Sequence, residues 1–528
     1  MQAESPLQLV RRAQKQRLPK IFESLEGLTA TPEEGSGFES SLEGLFPYTA
    51  GQSKLAFSRD VSLTSRQPLR IGVVLSGGQA AGGHNVIIGL FDALKRLNKE
   101  STLYGFLNGP GGIVKGAYKE LEAEQLDLYR NTGGFDLIGS GRTKIETDEQ
   151  FEAAQQSVKK LQLDGLVVIG GDDSNTNAAL LAEYFRAHNC PCNVVGVPKT
   201  IDGDLRSKEI EVPFGFDTAC KTFSETIGNI ARDALSAKKY WHFIRLMGRS
   251  ASHITLECAL QTHPNLALIG EEIAAKGMTL AQVTDAIADA VVKRAENGKN
   301  YGVILIPEGI IEFIPECQKL IKELNSLMAS DLSGSEVSSQ LSPEALNCFQ
   351  AMPKEIQSQL LLDRDPHGNV QVSKIETERL FIATVEQALQ GREIKFNPQP
   401  HFLGYEGRAG SPSQFDADYC YALGFTAALL LDAGMTCYVA FVQNLTQDVA
   451  EWKPGGAPLV RMFHLEERKG VKKPVIQKAL VDLQSTAFKA FQADRELWVE
   501  GDYYRYPGPI QFFGPEHIVN SIPLTLKA

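Results

Sequence analysis

The sequence predicts an α/β protein of two Rossmann-like α/β units with largely parallel sheets, carrying a helical insertion and an N-terminal extension. Three observations predict it. Short, continuous apolar runs at 71–75, 165–169 and 193–197 have the unbroken hydrophobicity of parallel strands covered on both faces. The first two lead through glycines into segments with helical spacing: Ile87, Leu90, Phe91, Leu94 and Leu97 after the first, Leu180, Leu181 and Phe185 after the second. The same rhythm resumes at 241–247, 301–306 and 437–442.

Residues 1–69 read as an extension with a short amphipathic start and a Gly/Ser/Glu-rich stretch at 31–45. They show no strong strand, and we expect them to pack on the subunit or swap between subunits. Residues 70–235 form the first α/β domain, with the chain crossing back to it from the C-terminal part; its second helix begins near Ser174, a plausible N-cap. Residues 236–310 and 396–450 form the second. Between them, 311–395 is helical in propensity, with a Ser-rich stretch at 330–342 and a turn at 363–368. Residues 451–528 are a C-terminal segment.

The chain has 528 residues, 43% apolar and 22% charged, as in a soluble globular protein with more than one core. Its net charge of −11 argues against nucleic-acid binding, although local basic groups still allow an anionic substrate. Eight cysteines are scattered; Cys190 and Cys192 alone do not make a metal set, so reduced, buried thiols are expected. No secretory-type segment opens the chain and no apolar run nears the ~20 residues that span a bilayer. The expectation is a cytoplasmic protein without membrane association.

Chemistry concentrates where strands end. Ser76-Gly77-Gly78-Gln79-Ala80-Ala81-Gly82-Gly83-His84-Asn85 joins a strand to a helix, and small residues there let backbone N–H groups face a phosphate. The spacing is neither the dinucleotide fingerprint nor a Walker A loop. Gly170-Gly171-Asp172-Asp173 follows the next strand; in isolation such carboxylates are ordinary helix N-terminal charges, favoured by about 0.3–1 kcal/mol. Lys199-Thr200-Ile201-Asp202-Gly203-Asp204 follows a third. Carboxylates beside a phosphate site call for a bridging magnesium ion, with one left to take a proton. Met247-Gly248-Arg249, Glu308 and Tyr405-Glu406-Gly407-Arg408 also sit at strand ends, where open α/β sheets bind ligands. Lys239 and Tyr240 precede one of these strands.

The ordered set GGQAAGGHN, GGDDSNT, PKTIDGD, MGR, PE and YEGR resembles the phosphofructokinase family, and within it the long-chain, pyrophosphate-dependent branch. The resemblance is dense over 70–310 and resumes over 395–445. It implies the phosphofructokinase fold and transfer of phosphate from pyrophosphate to the C1 hydroxyl of fructose 6-phosphate. The products would be fructose 1,6-bisphosphate and phosphate, reversibly, in glycolysis and gluconeogenesis. It further implies Gly78 at the phosphoryl donor, Asp172 as ligand to Mg2+ with Asp204 a second candidate, and Asp202 as proton acceptor. Thr200, Ile201 and Asp202 would line the sugar-phosphate site, with Met247, Gly248, Arg249 and Glu308 on the sugar and Tyr405, Glu406, Gly407 and Arg408 toward the far phosphate. Arg142 would lie near the transferred group. Lys239 and Tyr240 would reach a neighbouring subunit's site, making the active unit a homo-oligomer, a dimer or larger.

Asp173 and Lys199 stand where ATP-using relatives have glycine. A carboxylate ~4 Å from a nucleotide's α-phosphate costs about 4 kcal/mol at an effective dielectric of 20, while Lys199 adds positive charge where the transition state needs it. Both favour pyrophosphate. The alternatives are an ATP-dependent phosphofructokinase, disfavoured by those two residues, and a non-catalytic regulatory subunit, disfavoured by the retained Asp172, Asp202 and Asp204. A lipid or NAD kinase would lack the TIDGD, MGR and YEGR segments.

Overall fold

The structure, a computed structural model, describes residues 5–33, 42–328, 334–362, 369–468, 471–509 and 515. The turn anticipated at 363–368 lies outside the described residues, as do parts of the 31–45 and 330–342 stretches. The chain forms two compact units: residues 1–219, 408–479 and 511–528 make unit one, and 220–407 with 480–510 make unit two. The chain opens in unit one with β1 (Leu28–Pro32), β2 (Leu55–Arg59), β3 (Arg70–Leu75), β4 (Thr102–Phe106), β5 (Tyr118–Glu120), β6 (Gly165–Gly170) and β7 (Asn193–Pro198). It passes to unit two for β8 (Trp241–Leu246), β9 (Leu266–Ala267), β10 (Gly302–Pro307) and β11 (Pro398–Leu403). It then returns for β12 (Tyr438–Gln443), β13 (Lys453–Pro458) and a hairpin of β14 (Phe463–Arg468) and β15 (Val471–Ile476).

Unit one is a nine-stranded sheet in the order β1-β2-β13-β12-β7-β6-β3-β4-β5. Its central strands from β12 to β4 pair in parallel, whereas β1, β2, β13 and β5 pair antiparallel at the edges, so the sheet is mixed. The extension, expected to hold no strong strand, supplies two short edge strands, β1 and β2. β1 and β2 are five residues each, their inward residues Leu28, Ala30, Leu55 and Phe57 too few to stand out in the sequence. They pair with each other and onto β13 of the same chain. β13 (KPGGAP) has no apolar run; Gly455 fits because a Cβ there would collide with the Phe441 ring.

Unit two is a parallel four-stranded sheet, β11-β8-β10-β9. Its core joins Trp241, Phe243 and Ile304 from the strands to Leu320, Leu324, Phe349 and Phe381 from helices of the 311–395 segment. The insertion is therefore part of the unit's core. A buried ion pair, Arg245 to Glu378 at 2.7 Å, joins β8 to helix Thr377–Ala388. The division of the chain differs from the one expected: residues 408–450 belong to unit one, and 451–528 is shared between the two.

All eight cysteines are free and buried. Among the described residues no helix is long and apolar enough to cross a membrane.

Candidate active site

The register of unit one sets the site. Leu75 of β3 lies opposite Ile169 of β6, and Gly170 opposite Pro198 of β7, so three strands end side by side. The loops leaving them are tied at their roots, with Ser76 N–H donating to Ile169 O at 2.8 Å and Lys199 N–H to Gly170 O at 3.0 Å. Gly77 has φ +82°, a conformation that needs glycine, and its N–H donates to Gly141 O at 2.9 Å. That bond brings the Arg142 loop to the glycine loop.

The helix after β6 runs Asp172–Ala187, so it begins two residues before the expected N-cap. Ser174 lies inside its first turn and donates instead to Ser76 Oγ at 2.8 Å. Asp172 and Asp173 stand on the helix's first turn, where the backbone dipole favours anions. Asp173 is largely exposed and pairs with Lys144 at 3.1 Å. The Lys144 loop is clamped by Asn177, which accepts from Ile145 N–H at 3.1 Å and donates to Ile145 O at 2.7 Å.

Lys199 is buried, and its ammonium donates to Gly78 O at 2.6 Å. Burial pushes its pKa down to about 8, aided by the Arg408 charge and opposed by Asp202 and Asp172. The Arg408 guanidinium lies against Gly78, where a methyl group would collide with it, and its Nε donates to Gln79 O at 3.3 Å. Arg142, expected near the transferred group, is next to the same glycine. Three cationic side chains thus gather at one backbone segment.

Beyond Lys199 the chain turns, with Asp202 N–H donating to Thr200 Oγ1 at 3.0 Å and Ile201 buried. Asp204 is buried and its carboxyl is pushed up to about 7 by burial, reinforced by Asp202 and opposed by Lys478. Lys478, which follows β15, lies 3.6 Å from an Asp172 oxygen and 3.7 Å from an Asp204 oxygen. Its ammonium shows that this carboxylate pair accepts a cation between its members. Oxygen donors of this kind suit magnesium, which takes one or two carboxylates and completes its shell with water and phosphate oxygens. Among the described residues no group of three or more His, Cys, Asp or Glu is placed to hold a metal by itself.

In unit two the residues expected at the sugar also meet. Gly248, at φ +137°, donates its N–H to the buried Glu308 carboxylate at 3.0 Å, while Glu308 N–H donates to Leu246 O at 2.9 Å. Met247 N–H donates to Leu403 O at 2.9 Å, and the Arg249 backbone packs against Gly309, where a Cβ would not fit. Tyr405 is exposed at the start of a short helix, Tyr405–Ala409, with Gly407 buried and Glu406 accepting from Gly404 N–H at 3.0 Å. The division between units falls inside this motif, placing Arg408 with unit one. The Lys239 ammonium sits over the Tyr240 ring at 4.9 Å.

Sequence reasoning missed Lys144, Asn177 and Lys478. Lys478 follows a hairpin 306 and 274 residues beyond Asp172 and Asp204, the carboxylates it meets, and a lone lysine carries no motif.

An edge of parallel strands that gathers cations around a glycine backbone, with carboxylates beside them, marks an α/β protein that handles phosphate. The comparison with known proteins narrows that class. The family model Phosphofructokinase matches residues 70–431, and the chain belongs to the phosphofructokinase family. It is 54% identical over 520 residues to pyrophosphate–fructose 6-phosphate 1-phosphotransferase subunit beta of Solanum tuberosum, covering 96% of this chain and 91% of that one. To the pyrophosphate–fructose 6-phosphate 1-phosphotransferase of Porphyromonas gingivalis it is 49% identical over 545 residues, 99% of each. Among solved structures, the pyrophosphate-dependent phosphofructokinase of Nitrosospira multiformis matches with a TM-score of 0.57 at 16% identity, over 82% of this chain and 93% of that one, a likeness of fold.

Proposed function

We infer that the chain is a pyrophosphate-dependent phosphotransferase that converts fructose 6-phosphate and pyrophosphate to fructose 1,6-bisphosphate and phosphate. Near full-length similarity to relatives named for that reaction supports it. The observation that carries the choice of donor is Lys199, a buried ammonium on the Gly78 carbonyl; Asp173, paired with Lys144, adds a carboxylate that a nucleotide's α-phosphate would meet as a like charge.

The roles follow from the chemistry of the groups. Asp202 takes the proton from the C1 hydroxyl as it attacks. Lys199 and Arg142 meet the charge that spreads over the transferred phosphoryl, a contribution realised mainly in the transition state. Arg408 joins them: we reassign it from the sugar's far phosphate to the donor side because its guanidinium lies against Gly78. The Gly78 backbone seats the donor. Thr200, Ile201, Met247, Gly248, Arg249 and Glu308 hold the sugar phosphate, Tyr405, Glu406 and Gly407 its far end. Mg2+, held by Asp172 with Asp204 close by, would neutralise pyrophosphate oxygens when bound. We assign the protein to the cytoplasm and to a homo-oligomer in which Lys239 and Tyr240 complete a neighbour's site.

The test is fructose 1,6-bisphosphate formation with Mg2+ and either pyrophosphate or ATP. Turnover with pyrophosphate alone is expected. Turnover with ATP alone would overturn the donor assignment, and none with either would favour a non-catalytic subunit.

A further inference from the structure

Lys478 has no part in the roles above, yet its ammonium lies almost equidistant from Asp172 and Asp204, at 3.6 and 3.7 Å. The placement is built by the backbone on both sides. Ala479 N–H donates to the carbonyl of Asp204 itself at 2.7 Å, and Gln477 N–H donates to Met462 O at 3.1 Å. The segment after the β14–β15 hairpin is thereby stitched to the loop that carries one of the two carboxylates, and the lysine side chain is about one-third exposed. Both contacts are ion-pair distances longer than a hydrogen bond, so the ammonium meets these two carboxylates through charge.

Two carboxylates facing one position repel unless a cation stands between them. An ammonium and a divalent ion cannot both stand there without repelling each other. We propose that Lys478 is a positioning residue that holds the Asp172–Asp204 pair in the metal-free enzyme and competes with the divalent cation for it. Loading with metal then turns the lysine side chain out, with the backbone on either side staying in place. This rests on the assignment of Asp172 to the metal in the proposed function. It adds that the enzyme carries its own counter-ion, which keeps the carboxylates apart and oriented while the site waits for metal and pyrophosphate.

The experiment is titration of the full-length enzyme, without substrate, with Mn2+ followed by electron paramagnetic resonance, on the wild type, Lys478→Met, Lys478→Gln, Lys478→Arg and Asp172→Asn. Removing the competing charge in the Met and Gln variants tightens Mn2+ binding at least roughly threefold, the scale of a partly exposed ion pair. The Arg variant stays near wild type. The Mg2+ concentration that half-activates turnover falls in parallel, while the KM for fructose 6-phosphate does not change. Two neutral variants guard against one that misfolds, with circular dichroism confirming the fold. Unchanged or weaker Mn2+ binding in both, with binding lost in Asp172→Asn, would overturn the competition and spare the metal assignment. Wild-type Mn2+ affinity in Asp172→Asn would overturn the metal assignment, and the competition with it.

Discussion

Lys199 and Gly78 are joined by a 2.6 Å hydrogen bond from the lysine ammonium to the glycine carbonyl, between loops that leave β7 and β3. The contact does two things at once. It gives that carbonyl a cationic partner, and it anchors the one buried lysine among the site's cations beside the backbone that would seat pyrophosphate.

Because burial lowers Lys199 to about 8, its charge is present below that pH and lost above it. We expect kcat/KM for pyrophosphate to fall as pH rises through about 8. Lys199→Arg, charged throughout, should be slower at neutral pH but lack that break, so the ratio of the two profiles removes the titration of the substrates. Lys199→Met should lose roughly 100- to 1,000-fold in kcat, the scale of a removed transition-state donor. Parallel wild-type and Arg profiles from pH 7 to 10 would take Lys199 out of the transition state.

Asp173 tests donor choice. Its carboxylate is largely exposed and shares charge with Lys144, so its repulsion of a nucleotide is screened below the about 4 kcal/mol of an unpaired carboxylate at that distance. Asp173→Gly should raise kcat/KM for ATP by about 10- to 100-fold, against a smaller loss with pyrophosphate. Initial rates with each donor decide it, and an unmoved ATP rate would place discrimination elsewhere.

Much of this site was legible in the order of its motifs, because glycines and carboxylates after buried strands are local features. What escaped was what only tertiary structure brings near. Lys144 reaches Asp173 because Asn177 clamps its loop, and Lys478 arrives from beyond a hairpin. Ser174 misled because an N-cap requires a side chain free to accept from the following turn. Here Gly171 is the cap, and the serine hydroxyl is taken up by Ser76. β13 was invisible for a related reason: its glycines make room for the Phe441 ring at Gly455 and for Leu430 at Gly456, and do not follow strand propensity.

His84, inside the glycine-loop motif, is a structural group. Its ring is fully buried, with Nδ1 2.8 Å from Thr132 Oγ1 and Nε2 3.3 Å from Leu137 N. Thr132 gives its own proton to Tyr129 O, so Nδ1 carries the hydrogen and Nε2 accepts from Leu137. Burial lowers its pKa to about 4, with Asp136 only partly offsetting. Because the unfolded chain takes up this proton near 6.5 and the folded ring only near 4, stability is full above about 6.5 and falls as pH drops through that window, by up to about 3 kcal/mol in all. His84→Gln should be less stable at pH 7.5, and its thermal midpoint should fall less between pH 6.5 and 4.5 than the wild type's. Equal slopes would contradict the neutral tautomer.

Two glycine-to-alanine changes should separate binding from folding. At Gly78 the added methyl collides with the end of the flexible Arg408 side chain, which can shift, and comes within ordinary contact of Arg142. Gly78→Ala should therefore fold with a thermal midpoint within a few degrees of wild type, while the KM for pyrophosphate rises about tenfold because one guanidinium has moved, the scale of a charge-assisted contact. At Gly196 the methyl meets Asn175 Oδ1, and that side chain cannot turn aside: its Nδ2 holds Gly170 O at 2.7 Å and Gly171 O at 2.9 Å, fixing the turn into the Asp172 helix. Gly196→Ala should cost about 1–3 kcal/mol, as overpacking in a closed core does. Denaturant unfolding and pyrophosphate kinetics on both variants check the pair. If Gly78→Ala lost stability as Gly196→Ala does, the Arg408 side chain would be part of the core packing and its placement over the donor loop would have another cause.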